Sequence, residues 1–265
     1  MKRTSVGNVE VIALVDSTAA YPVAGAYPRA GSDATDRYRR HLDTEGRVVM
    51  NFGCFLLRDG STTVLVDTGW GPEHGGRLLA ELTEAGASPS DIDLVIFTHL
   101  HGDHTGWAID RTSGRPLFSA ARYLVPRADW DHYGQQDPPA ASFTRDVMPL
   151  EEAGSVELIE GDCMISPALM AVPTPGHTPG HTSIAITSDG EFGFILGDVV
   201  ISPIDVEDPD MQNGFDWHHG VARTTRVSSL DRLIASGATV GASHLPPPGL
   251  GHFVREGNER RWRPL

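Results

Sequence analysis

The stretch that decides the fold is Leu94-Val95-Ile96-Phe97 running into Thr98-His99-Leu100-His101-Gly102-Asp103-His104-Thr105-Gly106-Trp107. Four apolar residues in a row, two of them β-branched and one aromatic, read as a short strand buried on both faces. Directly after it, four metal-competent side chains fall between positions 99 and 104. His99 and His101 are two apart, so on an extended backbone both imidazoles point to the same side and can reach one ion. Asp103 and His104 follow the turn expected at Gly102 and point to a neighbouring position, which predicts two ions instead of one. Imidazole with carboxylate suits zinc and similar divalent ions.

Working outward, three more ligand candidates stand at the ends of predicted strands, where side chains of packed sheets converge. They are His177 in TPGHTPGH (174–181), Asp198 in FILGDVV (194–200) and His244 in GASHLP (241–246). Five histidines and two aspartates make seven ligands for two metals, with one carboxylate left to bridge. In the TPGHTPGH run, His181 reads as a structural residue hydrogen-bonded at the start of a strand, and Gly176 and Gly180 as positions of close backbone turns.

The pattern around these residues is of strands followed by a helix, twice over. Strands are expected at 9–17, 51–58, 62–67 and 94–97, with a hairpin at Asp59-Gly60 and a helix at 77–87. Further strands are expected at 122–125, 156–159, 169–173, 182–187, 192–196 and 239–242, helices at 143–153 and 225–235, and a closing hairpin in the tail. No linker divides the chain, so residues 1–265 are expected to form one α/β domain of two sheets flanked by helices. A polar stretch at 18–48 is too long for an ordinary connection and reads as either a functional loop or a partly disordered segment, and 202–222 reads as a second long polar loop.

Composition narrows the function. Lys and Arg total 21 against 35 Asp and Glu, a net charge of −14 at pH 7, which lacks the cationic excess that a phosphate backbone demands. Nucleic acid is therefore not an expected partner. No apolar run reaches 18 residues, so no membrane-spanning helix is expected, and the N-terminus lacks the apolar run and cleavage site of a signal peptide. Cys54 and Cys163 lie far apart in apolar surroundings and read as buried free thiols, which suits a reducing, cytoplasmic setting.

On the strength of HLHGDH at 99–104, TPGHTPGH, the GD step at 197–198, SHLP at 243–246 and VLVDTG at 64–69, the chain resembles the metallo-β-lactamase-fold hydrolases over nearly its whole length. Within them it looks most like the lactonase and organophosphate-hydrolase branches. The resemblance implies a four-layer αβ/βα sandwich of two mixed sheets flanked by helices, with the site at one edge of the sheets. It also implies that one metal takes His99, His101 and His177, that the other takes Asp103, His104 and His244, and that Asp198 bridges them. Asp67 in VDTG would accept a ligand imidazole's second N–H and so fix its orientation. Relatives are often homodimers, so a homodimer is an expectation for this chain too.

Two divalent ions can hold a water between them and lower its pKa towards neutrality, for attack on an electrophilic centre without a Ser or Cys nucleophile. The expected activity is thus hydrolysis of a lactone or ester C–O bond in a small-molecule substrate by a metal-bridging hydroxide, with Asp103 as proton carrier. Zinc is the expected metal, and Mn, Fe or Co would fit the same ligands. The alternatives are phosphotriester hydrolysis and a non-catalytic, metal-stabilised binding protein. Lactonases of the family carry a tyrosine three residues after the bridging aspartate, whereas this chain has Ile201 there. The two long loops are expected to roof the pocket with Tyr21, Tyr27, Phe215, Trp217, His218 and His219, and Trp107 is a candidate pocket wall beside the ligands. A nuclease of this fold would need a basic face and a clamping domain. A diiron flavoprotein would place Glu where His101 stands and add a flavin domain.

Overall fold

In the computed structural model, which describes residues 2–265, two seven-stranded mixed sheets lie face to face. The first runs from its edge through β1 (Lys2–Val6), β2 (Val9–Pro22), β3 (Arg47–Asp59), β4 (Thr62–Val66) and β5 (Leu94–Ile96). After a small separate ribbon of β6 (Ile109–Asp110) and β7 (Arg115–Pro116), it continues with β8 (Arg122–Pro126) and β9 (Val156–Ile159). The second sheet takes its strands in chain order: β10 (Cys163–Met164), β11 (Leu169–Pro173), β12 (Thr182–Ser188), β13 (Glu191–Ile195), β14 (Thr239–Gly241), β15 (Leu250–Glu256) and β16 (Glu259–Pro264). Pairing is parallel along β4–β5–β8–β9 and between β13 and β14, and antiparallel elsewhere. The helices are α1 (Val23–Ala26), α2 (Ala34–Arg37), α3 (Leu78–Glu84), α4 (Gly102–Thr105), α5 (Arg127–Gly134), α6 (Met148–Glu152), α7 (Pro203–Glu207) and α8 (His219–Ser236).

The two-residue period of the strands sorts the core into layers. Along β3, Phe55 and Leu57 face the second sheet and pack with Ile184, Ile186 and Ile195, while Cys54 and Leu56 face outward under α3 with Leu78 and Leu82. On the far side of the second sheet, Phe194 and Val240 pack beneath Leu230 and Leu233 of α8. Helix, sheet, sheet and helix therefore stack in four layers, the architecture expected from the sequence. Each fully buried Leu or Ile contributes about 1.5–3 kcal/mol.

The structure corrects several local expectations. The strand expected at 9–17 runs on to Pro22, paired with β3 down to Pro22↔Arg47, and a bulge between Val15 and Ser17 shifts the register by one residue and leaves Asp16 without a partner across the ladder. The stretch 18–48 is therefore strand at both ends, and its middle folds as α1 and α2 over a separate cluster of Tyr27, Tyr38, Phe52 and Ile204. A hairpin through Gly7-Asn8 adds β1, which the polar sequence KRTSV did not announce. Helix α5 was not expected at all. Helix α8 begins at His219 instead of 225, and α7 occupies part of the supposed loop 202–222. The segment expected to be helical at 143–153 opens with a π-helical turn, Phe143–Val147, before α6. Both cysteines are free, but only Cys54 is buried; Cys163, on the short strand β10, is half-buried. Among the described residues no helix is long and apolar enough to cross a membrane.

Candidate active site

Five strands, β4, β5, β11, β13 and β14, end at the same edge of the sandwich, and the residues that follow them face one another. Asp67 follows β4, His99 and His101 follow β5, His177 follows β11, Asp198 follows β13 and His244 follows β14. After β5 the backbone bends at Thr98, is extended at His101 and then turns into α4, so Asp103 and His104 project from one helical turn. Gly176 lets the loop after β11 approach α8: its φ is 134°, and a Cβ there would lie 2.3 Å from Ala222 Cα. At Gly197, with φ 60°, a Cβ would lie 2.6 Å from His181 Nε2.

The seven side chains named from the sequence are brought together in three overlapping groups, each with donor atoms within 4.8 Å of one another: His99–His101–His177, His99–His104–Asp198 and Asp103–His104–His244. Asp198 is central. Its Oδ2 lies 2.9 Å from His244 Nε2, 3.2 Å from His177 Nε2 and 3.8 Å from His99 Nε2, and its Oδ1 lies 3.4 Å from His104 Nε2. His99 Nε2 and His177 Nε2 each approach His101 Nδ1 to 3.0 Å.

The outward-facing nitrogens are fixed. His104 donates from Nδ1 to Asp67 Oδ2 at 2.8 Å, and Asp67 also accepts from the Thr98 N–H at 2.7 Å and hydroxyl at 2.8 Å. Asp67 stands at φ 61°, a left-handed conformation uncommon for a residue other than glycine. His244 donates from Nδ1 to the Asn51 carbonyl at 2.6 Å, and His177 from Nδ1 to Asp216 Oδ1 at 3.2 Å. His181 belongs to the support: its Nε2 accepts the Asp198 N–H at 2.9 Å while Nδ1 meets Thr174, and burial holds its pKa down to about 3, which keeps that acceptor neutral.

The donor set fits a pair of cations. His104 Nε2 and Asp198 Oδ1 are buried and have no hydrogen-bond partner among the described residues, which is costly for polar atoms unless a ligand satisfies them. Burial, with neighbouring imidazoles, keeps His99 and His101 neutral, His101 at about 3. For His177 burial acts the same way, but the charges of Asp198 and Asp216 outweigh it and hold the group at about 9. Burial would push Asp198 up, yet the imidazoles of His244, His104, His99 and His177 hold it well below the usual carboxylate range. An anion ringed by imidazoles suits divalent ions, whose uptake would release the protons that otherwise balance it. The groups together make a dinuclear metal-binding site.

Above it opens a cavity of about 410 Å³. Its apolar wall consists of Tyr21, Met50, Phe52, Trp70, Ile201 and Phe215, and among the described residues no Lys or Arg lines it. Phe52 packs on Trp70, with ring centroids 4.3 Å apart, and meets His244 edge-on at 5.2 Å. Of the residues expected around the pocket, Tyr21, Ile201 and Phe215 line this cavity, whereas Tyr27, Trp107, Trp217, His218 and His219 do not. Trp107 turns away from the ligands and donates from Nε1 to Asp16 at 2.8 Å within the core under the helices. Trp217 is half exposed; its backbone N–H donates to the His177 carbonyl while its side chain lies at the surface. His218 caps α8, accepting the Val221 N–H. Sequence reasoning missed Tyr21 as part of a strand, the walls Met50, Phe52 and Trp70, and the buried carboxylates Asp16, Asp129 and Asp216. Asp129 accepts from Leu100 N–H, the Thr178 hydroxyl and Gly180 N–H, tying the loop of His99 and His101 to that of His177. No local spacing marks any of these, since each works across tens of residues.

Residues 54–244 match the family model described as the metallo-beta-lactamase superfamily. An N-acyl homoserine lactonase of Bacillus cereus is 28% identical over 204 residues, covering 67% of this chain and 75% of that protein. Among solved structures, AidC, a dizinc quorum-quenching lactonase, superimposes with a TM-score of 0.88 at 23% identity, covering 100% of this chain and 97% of its own. The hydrolase AbOPH, of the beta lactamase superfamily, does so with a TM-score of 0.88 at 24% identity, covering 99% and 96%. These structural likenesses show the fold. With the family match over most of its length and a dinuclear site at the sheet edge, the chain belongs to the metallo-beta-lactamase superfamily, as one of its metal-dependent hydrolases.

Proposed function

We propose that the protein is a dinuclear metal hydrolase that opens a lactone or cleaves an ester C–O bond in a neutral, largely apolar substrate. The observation that carries this is the convergence of imidazoles and carboxylates on Asp198 at the floor of an apolar cavity. In this reading His99, His101 and His177 hold one ion and Asp103, His104 and His244 the other, with Asp198 serving both, and zinc suits the set best. Bound there, two divalent ions supply Lewis acidity and make water a competent nucleophile at neutral pH.

The chain's own groups do the rest. Asp67 and the Asn51 carbonyl hold His104 and His244 in the tautomer that leaves Nε2 facing the site. Asp103, with 22% of its side chain exposed against 3% for Asp198, is the carboxylate that can take the proton of the attacking water and pass it to the leaving oxygen. Water adds to the carbonyl carbon, the C–O bond breaks, and the products are an acid and an alcohol, joined in one molecule when the substrate is a lactone. Burial and the nearby Asp103 charge raise the pKa of Tyr21, so its phenol on the cavity wall stays protonated and can donate a hydrogen bond. A wall without cations, on a chain of net charge −14, favours neutral substrates. The likeness to a curated N-acyl homoserine lactonase supports the lactone; the rings of Phe52, Trp70 and Phe215 support, as a second reading, a phosphotriester with an aryl leaving group. The free thiols suit a reducing cytoplasm.

The test is metal analysis together with hydrolysis of neutral lactones, aryl esters and phosphotriesters, before and after chelation. Two bound ions and turnover lost on chelation and restored by metal are expected. Two ions with no turnover on any substrate would leave only the binding-protein reading. Asp103→Asn should keep both ions and lose turnover; full turnover would remove Asp103 from its role.

A further inference from the structure

His177 is backed by a chain of buried charges that the hydrolysis above does not use. Arg226, in the middle of α8, is only 2% exposed. Its Nη2 donates to Asp216 Oδ2 at 3.0 Å, and the other oxygen of Asp216 accepts the His177 Nδ1–H at 3.2 Å. Its Nε donates to the carbonyl of Val199 at 2.8 Å, one residue beyond Asp198. Asp198 is therefore fixed on both sides of its turn, with its N–H on His181 before and its neighbour's carbonyl on Arg226 after. A second buried carboxylate, Asp205, lies close enough to act on the same guanidinium and accepts the Ile201 N–H at 2.7 Å.

Burying a guanidinium between two carboxylates is poor evidence of a stabilising device, because apolar residues of similar volume often do as well. What this arrangement supplies is direction. A carboxylate that accepts Nδ1–H leaves Nε2 of His177 as the lone pair facing His101 and Asp198. The planar fork of Arg226 satisfies the carboxylate and the Val199 carbonyl from two different nitrogens in a fixed geometry, which the single ammonium of a lysine does not reproduce. Three of the other four ligand imidazoles have different supports: Thr98 for His99, Asp67 for His104 and the Asn51 carbonyl for His244. The segment that delivers Asp216 also delivers Phe215 to the cavity wall, so wall and ligand share one anchor.

We propose that Asp216 and Arg226 are positioning residues through which helix α8 sets His177, and with it one ion of the pair, while the other ion is largely independent of Asp216 and feels Arg226 only through Val199, beside Asp198. The inference rests on the two-ion reading above. It is tested by titrating the metal-free wild type, Asp216→Asn and Arg226→Lys with Co²⁺, followed by visible absorption and chelator competition, alongside thermal unfolding of each metal-free protein.

Wild type should bind two equivalents. Asp216→Asn should bind one of them about 10–100-fold more weakly, with the other unchanged and the metal-free unfolding midpoint held. In a His101→Ala background, which breaks the His99–His101–His177 group and leaves the other two intact, adding Asp216→Asn should change nothing further. Equal weakening of both equivalents, or of neither, overturns the proposal. Should Asp216→Asn fail to fold, Arg226→Lys decides: it keeps the buried charge and loses only the fork, and it should weaken one equivalent clearly more than the other, equal weakening of both or of neither again overturning the proposal. A wild type that binds two ions beside unaltered variants defeats this inference alone, whereas a wild type that binds fewer than two defeats the two-ion reading and this inference with it.

Discussion

At the scale of single residues, the site depends on carboxylates that touch no substrate. Asp67 accepts three hydrogen bonds in a left-handed backbone conformation, from Thr98 N–H, the Thr98 hydroxyl and His104 Nδ1–H. Asparagine keeps the shape and tolerates the backbone, but it turns one acceptor into a donor that faces donors. Asp67→Asn should therefore cost about 10–100-fold in metal affinity or turnover, read by chelator competition and kcat; an unchanged protein would mean that His104 finds its orientation elsewhere. Tyr21 makes a different demand. Tyr21→Phe keeps the ring against Phe215 and removes only the hydroxyl. Loss of one neutral hydrogen bond, about 0.5–1.5 kcal/mol, should lower kcat/KM by up to roughly tenfold with metal content intact. Equal kcat/KM would show that the phenol does not touch the reacting ester.

At the scale of elements, the bulge in β2 connects the fold to the cavity. It turns Asp16 inward, where its carboxylate accepts from Trp70 N–H, Gly71 N–H, Leu78 N–H and Trp107 Nε1–H. One side chain thus fixes the cavity wall at Trp70, the start of α3 and the indole of Trp107. Asp16→Asn sets an amide against N–H donors in a buried place, so it should destabilise the fold by about 1–3 kcal/mol and raise KM as Trp70 shifts. Denaturant unfolding and steady-state kinetics measure the two effects, and a destabilised variant with unchanged KM would detach the bulge from the cavity. The bulge also shows where the sequence stopped being legible. The ligands could be named because they follow buried strands whose apolar runs are local signals, and His99 and His101 share a side by simple alternation. The second half of β2, AAYP at 19–22, carries no such signal and is strand only because β3 pairs with it. Trp107 is near the ligands in sequence but not in space, because the turn of α4 carries it under the helices. Asp16 and Asp216 meet partners 91 and 39 residues away, distances that no periodicity reports.

At the scale of the whole molecule, the proposed ligands divide between the two sheets: His99, His101, Asp103 and His104 hang from the first, and His177, Asp198 and His244 from the second. The apolar interior between the sheets, with Phe55, Val66 and Ile96 against Ile184 and Ile195, is sealed without any ion. At the ligand edge the sheets instead meet through buried imidazoles and Asp198, where uncompensated polar groups oppose closure. A pair of cations bound there would cross-link the sheets and stabilise the folded chain by mass action, about 2.7 kcal/mol per ion at a free concentration of 100 Kd. For a chain of this size, two such ions should raise the unfolding midpoint by on the order of 10–20 °C. The midpoint should climb with the logarithm of free zinc, and it should respond little to magnesium, which prefers oxygen ligands and parts reluctantly with its waters. Thermal unfolding in chelator, in graded free zinc and in magnesium measures this directly. Coincident curves in chelator and zinc would mean that the folded chain gains nothing from the ion, and a hydrolase built on these seven side chains could not then be sustained.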